Sequence, residues 1–256
     1  MKILVIADTQ AKPDVPTEHL TWIGKSIVDE KPDVIVHIGD HYDMQSLSVY
    51  DMGKKASEGR RFSRDMIAGY EAMQLIMQPL IAYNKDRKKH HKKRYRPRLE
   101  FMLGNHEQRV ERHVDAHAQL EGLIDYPDCF MLEDFGWNVN QFLKPIQIEG
   151  INFAHYFYNP NSGRPFGGTA HTKLRNIGES FVMGHQQGLD TAFRTTNAGQ
   201  KQIGVVAGSC YLHHESYKGP QGNEHWNGIV YLDNVGEGDA DVRPIRLSSL
   251  KEKYNG

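Results

Sequence analysis

Five polar residues, Asp8, Asp40, Asn105, His155 and His185, each stand where a short apolar run stops. Asp8 follows the run 2–7, Asp40 the run 33–39 and Asn105 the run 99–104, while His155 follows 150–154 and His185 follows 179–184. Carboxylates, an amide and imidazoles together form a metal-ligand set. One such residue means little, but five in equivalent settings point to a metal site.

The elements that must position these residues follow from the runs themselves. Short apolar runs read as buried strands, and the C-terminal ends of strands form the rim where α/β proteins place their ligands. Strands at 2–7, 33–38 and 99–103 alternate with expected helices near 17–29, 63–83 and 107–120, the first with Thr17 as N-cap. This is the rhythm of a largely parallel sheet. After residue 138 the pattern changes. Expected strands near 138–143, 146–149, 151–155, 180–183, 203–207 and 228–232 are separated mostly by Gly, Asn and Pro turns. The second half therefore reads as a β-rich layer packed on the first, within one domain spanning 1–256.

Taken in order, the stretches are Asp8-Thr-Gln10, Gly39-Asp-His-Tyr-Asp43, Gly104-Asn-His-Glu107, His155 and Gly184-His-Gln-Gln187. The series resembles the calcineurin-like metallophosphoesterase superfamily, whose pattern is DxH, GDxxD, GNH[DE], a lone His and GHxH. The likeness runs from residue 8 to 187 and extends in general look to the small bacterial and bacteriophage members. It implies an α/β fold, a four-layer αββα sandwich of two mixed sheets flanked by helices. It also implies two divalent cations bridged by Asp40, with Asp8 on the first and Asn105, His155 and His185 on the second. By the same resemblance His106 is the general acid that protonates the leaving oxygen, or else steadies the transition-state phosphoryl group, and by likeness to the phosphoprotein phosphatase branch Asp43 is its partner. The implied reaction is hydrolysis of a phosphate ester by in-line attack of a metal-activated water, since paired cations neutralise the anionic oxygens and lower the pKa of water. Glycine before Asp40, Asn105 and His185 is expected to let the chain turn off each strand.

Three departures from the family pattern matter. Gln10 and Gln187 replace two histidines that belong by resemblance to the first metal, whereas the second metal's ligands are complete. An amide carbonyl is a harder ligand than imidazole, so the first site is expected to be oxygen-rich and to take Mn²⁺ or Mg²⁺ rather than Zn²⁺ or Fe. The rival is a first site that stays empty. Third, Met44-Gln45 stands where phosphoprotein phosphatases have Arg-Gly after GDxxD. Arg109, Arg164 or a basic loop could supply that cation, although Arg109 reads first as a solvent-facing salt bridge. His41, beside the metal loop, reads as a substrate contact or as support for the ligands.

Composition bounds the rest. The two cysteines, Cys129 and Cys210, form neither a metal-type pair nor a disulfide framework. No apolar stretch reaches the roughly 20 residues of a membrane span, and no signal-peptide pattern opens the chain. The expected location is the cytoplasm, the host's if the chain is phage-encoded. Net charge is −1, yet the segment Lys85–Arg98 carries nine Lys/Arg against one Asp. It reads as an extended, solvated insertion, and its functional reading is a contact with the phosphates of nucleic acid.

Other candidates have plain readings beside the chemical ones. His37 within its strand reads as a hydrogen-bonded core histidine. His113 and His117 form an i, i+4 pair without the HExxH glutamate. His213-His-Glu215 and His225 could line the cleft or replace a lost ligand. Tyr156, Phe157 and Tyr158 read as core and rim aromatics, and 159–169 as a mobile loop beside the site. Together these readings favour a phosphodiesterase acting on nucleic acid or nucleotides, ahead of a phosphomonoesterase. Two rivals remain: a fold reused as a binding scaffold, and a nucleic-acid-binding protein working through residues 85–98.

Overall fold

The computed structural model describes residues 1–215 and 218–255. Its strands are β1 (Ile3–Ile6), β2 (Val34–His37), β3 (Arg98–Met102), β4 (Asn138–Asn140), β5 (Ile146–Ile148), β6 (Ile151–Phe153), β7 (Tyr158–Asn159), β8 (Arg164–Pro165), β9 (Phe181–Met183), β10 (Leu189–Thr195), β11 (Lys201–Ala207), β12 (Gly228–Gly236) and β13 (Asp239–Arg246). The helices are α1 (Glu18–Glu30), α2 (Phe62–Lys89), α3 (Gln108–Ala116), α4 (Ala170–Ile177), α5 (Gly219–Asn223) and α6 (Leu247–Tyr254). Six strands form one sheet in the order β13-β12-β1-β2-β3-β4, and five form a second in the order β10-β11-β9-β6-β5.

Period-two alternation in the short runs explains the layers. Ile3, Val5, Val34, Val36 and Met102 pack inward against Ile151, Phe153, Val182, Val205 and Ala207 of the second sheet. Leu4, Ile6, Ile35 and Phe101 face the other way, onto Leu20, Ile23 and Ile27 of α1, Met73 and Ile76 of α2 and Leu250 of α6. Phe181, Met183 and Val206 carry Leu174 of α4 on the outside of the second sheet. The result is the expected four-layer αββα arrangement. Each fully buried Val, Ile or Leu stabilises this stack by about 1.5–3 kcal/mol.

The second half does not form a separate layer. β4, β12 and β13 return to the first sheet, where β12 pairs antiparallel with β1. Strands β10 and β13 and helices α4 and α6 escape the sequence reading, because their residues alternate in exposure without a continuous apolar run. Thr17 makes no side-chain cap. The segment 159–169 holds the small β7–β8 hairpin rather than an unstructured loop.

The basic segment differs most from expectation. Helix α2 continues through Lys89, so the first basic residues form its last turns, where cations complement the helix dipole. The rest is tied back: Asn84 exchanges two hydrogen bonds with the Tyr95 backbone, and Arg87 donates to the Lys93 carbonyl. The segment then enters β3 at Arg98, the start of that strand. It therefore lies at the N-terminal edge of the sheet, about 17 Å from the strand's far end at 3.3–3.4 Å per residue.

Candidate metal centre

β1, β2 and β3 are parallel, as are β6 and β9, so their C-terminal ends lie at a common edge. Beyond β1 and β2 the chains stay paired: Asp8 N–H donates to the Gly39 carbonyl, Gln10 N–H to Asp40 and Ala11 N–H to His41. This pairing holds the two loops side by side while Asp8, Gln10 and Asp40 adopt left-handed backbone (φ 43°, 40° and 51°). His185 and Gln187 do the same after β9 (66° and 58°). A non-glycine residue held this way costs about 1–3 kcal/mol, and such residues cluster at functional sites.

The glycines act differently from one another. Gly39 has φ +93°, which only glycine adopts easily. Gly104 and Gly184 do not need that freedom; they make room. A Cβ on Gly104 would lie 2.2 Å from Asp40 Oδ1, and one on Gly184 would lie 2.5 Å from Asp8 Oδ1.

The ligand atoms of Asp40, His155 and His185 all lie within 4.8 Å of one another. Asn105 Oδ1 completes the group, 2.9 Å from His155 Nε2 and 2.7 Å from His185 Nδ1. His155 Nε2 is 3.3 Å from Asp40 Oδ2. Two ligands about 2.1 Å from one ion at a tetrahedral angle are about 3.4 Å apart, so these donors sit close to coordination spacing. Nδ1 of His155 donates to the Ile38 carbonyl at 2.7 Å, which ties the second sheet to the first and directs Nε2 into the site.

The other side of Asp40 is less finished. Asp8 Oδ1 accepts from the His185 N–H, but Asp8 Oδ2 is buried without a partner. Gln10 is fully buried, and neither its amide oxygen nor its nitrogen has one. Gln187 Oε1 accepts from the Tyr211 hydroxyl at 2.9 Å, and that hydroxyl accepts from Lys218 Nζ at 2.7 Å. Buried polar atoms are rarely left unpaired unless an ion or water meets them. The donor set therefore fits a divalent cation on both sides of Asp40, with nitrogen and oxygen ligands on one and oxygen ligands on the other.

Charge in the site is lopsided. Burial, and then the neighbouring Asp40, push the Asp8 carboxyl up to about 7. Burial would raise Asp40 as well, but His106 and His155 outweigh it and hold its carboxyl well below the usual range. His155 resists its own burial because Asp40 favours the imidazolium, reaching about 9. His185 falls to about 4 through burial and the charge on His155.

His106 Nδ1 donates to Asp43 Oδ1 at 2.8 Å, and its Nε2 lies 3.7 Å from Asp40 Oδ2. Burial disfavours the His106 cation, but Asp40 and Asp43 outweigh it and raise its pKa. Arg109 is not the solvent-facing residue its helix position suggests. Its Nη1 donates to the Asp43 carbonyl at 2.7 Å, and its Nη2 lies 3.2 Å from His106 Nε2. His41 is a correction in the opposite sense: it is fully buried, with Nε2 bonded to the Gly69 carbonyl and Nδ1 to Thr9 Oγ1. No ring nitrogen is left for a substrate, and burial lowers its pKa to about 4.

Sequence reasoning missed two supports. Glu107 accepts backbone N–H bonds from Asp40, His41, Tyr42 and Gly104 at 2.7–2.9 Å, tying the second and third ligand loops together. Its place in the Gly104–Glu107 stretch was visible, but that role was not. Lys12 Nζ lies 3.2 Å from Asp43 Oδ2 and 2.5 Å from Glu215 Oε1, which also meets His213 Nε2. Nothing in the sequence marked Lys12. His213 and Glu215 thus support Asp43 rather than replace a ligand. His37 is buried and bonded to Thr9, and the rings of His113 and His117 meet at a tilt, outside the Asp40–His155–His185 donor group.

The family model of the calcineurin-like phosphoesterases matches residues 1–236. The chain belongs to that family. It is a metal-dependent phosphoesterase, a hydrolase of phosphate esters. Among solved structures, Yfce, a phosphoesterase from E. coli, is similar at 12% identity and TM-score 0.41, over 96% of this chain and 100% of that one. TT1561 of Thermus thermophilus is similar at 13% identity and TM-score 0.34, over 96% and 98%. No curated protein matches the sequence. No helix among the described residues is long and apolar enough to cross a membrane.

Proposed function

We propose that the protein hydrolyses phosphodiesters, of nucleic acid or nucleotides, with His106 as general acid. The observation that carries this reading is the His106–Asp43 pair beside Asp40. Bound divalent cations would neutralise the phosphoryl oxygens and lower the pKa of a water molecule. Asp40, Asn105, His155 and His185 would hold one cation, and Asp8 and Gln10, with Asp40 between, the other; Mn²⁺ suits this mixed set. Gln187 would serve through its amide oxygen, already oriented by Tyr211. Asp43 holds Nδ1 of His106, so Nε2 is the atom that gives its proton to the leaving oxygen as the P–O bond breaks.

The preference for a diester rests on the supply of cations. Lys12 is committed between Asp43 and Glu215, and Arg112 donates to the Asn105 carbonyl. The basic segment 85–98 is at the far edge of the sheet and gives no cation to the site. Among the described residues Lys218 is tied to the Tyr211 hydroxyl and Arg109 stands beside His106, a supply better matched to a diester monoanion than to a monoester dianion. Any role of residues 85–98 with nucleic acid would be exerted at a distance.

The test compares bis(p-nitrophenyl) phosphate with p-nitrophenyl phosphate in the presence of Mn²⁺, for wild type and His106→Ala. Faster turnover of the diester is expected, with a loss of about 10²–10⁴-fold in the variant. A preference for the monoester would overturn the diester assignment. Equal rates in the two proteins would remove His106 from its role, and no metal-dependent turnover in wild type would favour the scaffold reading.

A further inference from the structure

A groove beside the acid pair belongs to none of the ligands. One wall is the segment between β2 and α2, where Val49, Tyr50 and Met52 are 67%, 79% and 76% exposed. The other is a face of α3 bearing Arg109, Arg112 and His113. Positions 109, 112, 113 and 116 recur at helical spacing, so the groove runs along α3 from the end that carries His106. Three large apolar side chains thus stand exposed within four residues along this groove.

Arg109 joins this groove to the site. It lines the groove, and its Nη2 stands 3.2 Å from His106 Nε2. Nε2 is the atom that faces the leaving oxygen, because Nδ1 is held by Asp43. Whatever is attached to that oxygen therefore emerges next to Arg109, at the mouth of the groove. We propose that the groove seats the leaving group of the substrate and selects a flat aromatic or nucleobase-bearing one. Tyr50 and Met52 offer apolar and ring contacts, and Arg109 and Arg112, whose N–H groups are engaged by the Asp43 and Asn105 carbonyls, offer guanidinium faces that stack on rings. The volume, ≈ 180 Å³, is below the roughly 300–1,000 Å³ of a drug-sized site. It holds one ring system rather than several bases.

The proposal rests on His106 as general acid, and its test separates the two. With Mn²⁺, KM and kcat for bis(p-nitrophenyl) phosphate are measured in wild type, Tyr50→Ala and Met52→Asp, with adenosine and ribose as inhibitors. Loss of a ring contact used equally in ground and transition states raises KM and spares kcat. KM is expected to rise about ten-fold in each variant, with kcat within about two-fold. Adenosine should compete in wild type and ribose should not. Both exposed side chains can be replaced without disturbing the core. Unchanged KM in both variants, or adenosine no better than ribose, would overturn the groove assignment while leaving the acid in place. No metal-dependent turnover in wild type would overturn the function itself, and the groove assignment with it.

Discussion

The donor atoms of Asp40, Asn105, His155 and His185 converge, 2.7–3.3 Å apart from Asn105 to either histidine and from Asp40 to His155, with Asp40, His155 and His185 all within 4.8 Å of one another. On the other side of Asp40, Asp8 Oδ2 and both amide atoms of Gln10 are buried without partners, and Gln187 turns its oxygen to Tyr211. Both sides are assembled at the C-terminal ends of strands, but Asp8, Gln10 and Gln187 on one all have left-handed backbone, whereas on the other His185 does and Asn105 and His155 do not. They differ in side-chain chemistry. Imidazoles anchored through their second nitrogen, as His155 is by the Ile38 carbonyl, stay in place without an ion. Amides offer a neutral oxygen and no second anchor of that strength. One half of the site is thus organised in advance, and the other is organised by what binds there.

The largest effect should come from the residue common to both halves. Asp40→Asn is expected to abolish metal-dependent turnover and strip both cations. The loss should exceed the roughly 10–100-fold that follows removal of an outer partner of a metal ligand. Metal content after gel filtration, measured beside the rate, checks it. Retention of both ions would mean that Asp40 is not shared.

A smaller effect sharpens the comparison. Titration of metal-free protein with Mn²⁺ should show a tight and a weak step. His185→Ala, which removes a ligand, should weaken the tight step by more than the roughly 10–100-fold of an outer partner, while Gln10→Ala should touch only the weak one. The double substitution Gln10→His and Gln187→His should strengthen the weak step and turn its preference toward Zn²⁺, because imidazole is the softer donor. If both alanine variants lose the same step, the halves are one site.

Much of this was legible in the sequence, for a physical reason. The central strands are short apolar runs bounded by polar residues, so β1, β2, β3, β6 and β9 and the polar residues at their ends could be found from pattern alone. The outer strands β10 and β13 alternate exposed and half-buried residues and gave no run to follow. The basic segment misled because charge density argues for a solvated loop, whereas its first turns extend a helix already nucleated by Met73, Ile76 and Leu80. The roles of Lys12, Glu107 and Glu215 were hidden because each acts through a contact distant in sequence. Glu107 reaches back 67 residues to the Asp40 N–H, and Lys12 reaches forward 203 to Glu215. Arg109 and His41 exchanged places for the same reason: burial at a loop crossing is set by tertiary packing, not by position along a helix or beside a motif.

The smallest effect concerns the unfinished half when no ion is bound. Burial and the Asp40 charge raise the Asp8 carboxyl to about 7, against an ordinary value of 3.8. Below pH 3.8 both folded and unfolded chains carry this proton, and Asp8 adds no pH dependence. Between 3.8 and about 7 the unfolded chain has lost the proton and the folded one keeps it, so raising the pH progressively destabilises the fold. Above about 7 the penalty is complete. Asn at this position has no proton to lose. In EDTA, Asp8→Asn should therefore gain Tm over wild type as pH rises from about 5 to about 8. The difference between the two proteins is the readout, since Asp40 and His155 titrate in both. Asp40, held low, adds its pH dependence below its ordinary 3.8, and His155, raised to about 9, loses stability as pH rises from 6.5 to about 9, in the same sense as Asp8. Saturating Mn²⁺ should reverse the order at the upper end of this range, because the cation uses the carboxylate that the metal-free protein finds costly. A constant difference across the range would mean that Asp8 ionises normally in the folded protein, and that the oxygen-rich half is not held in tension when it lacks its ion.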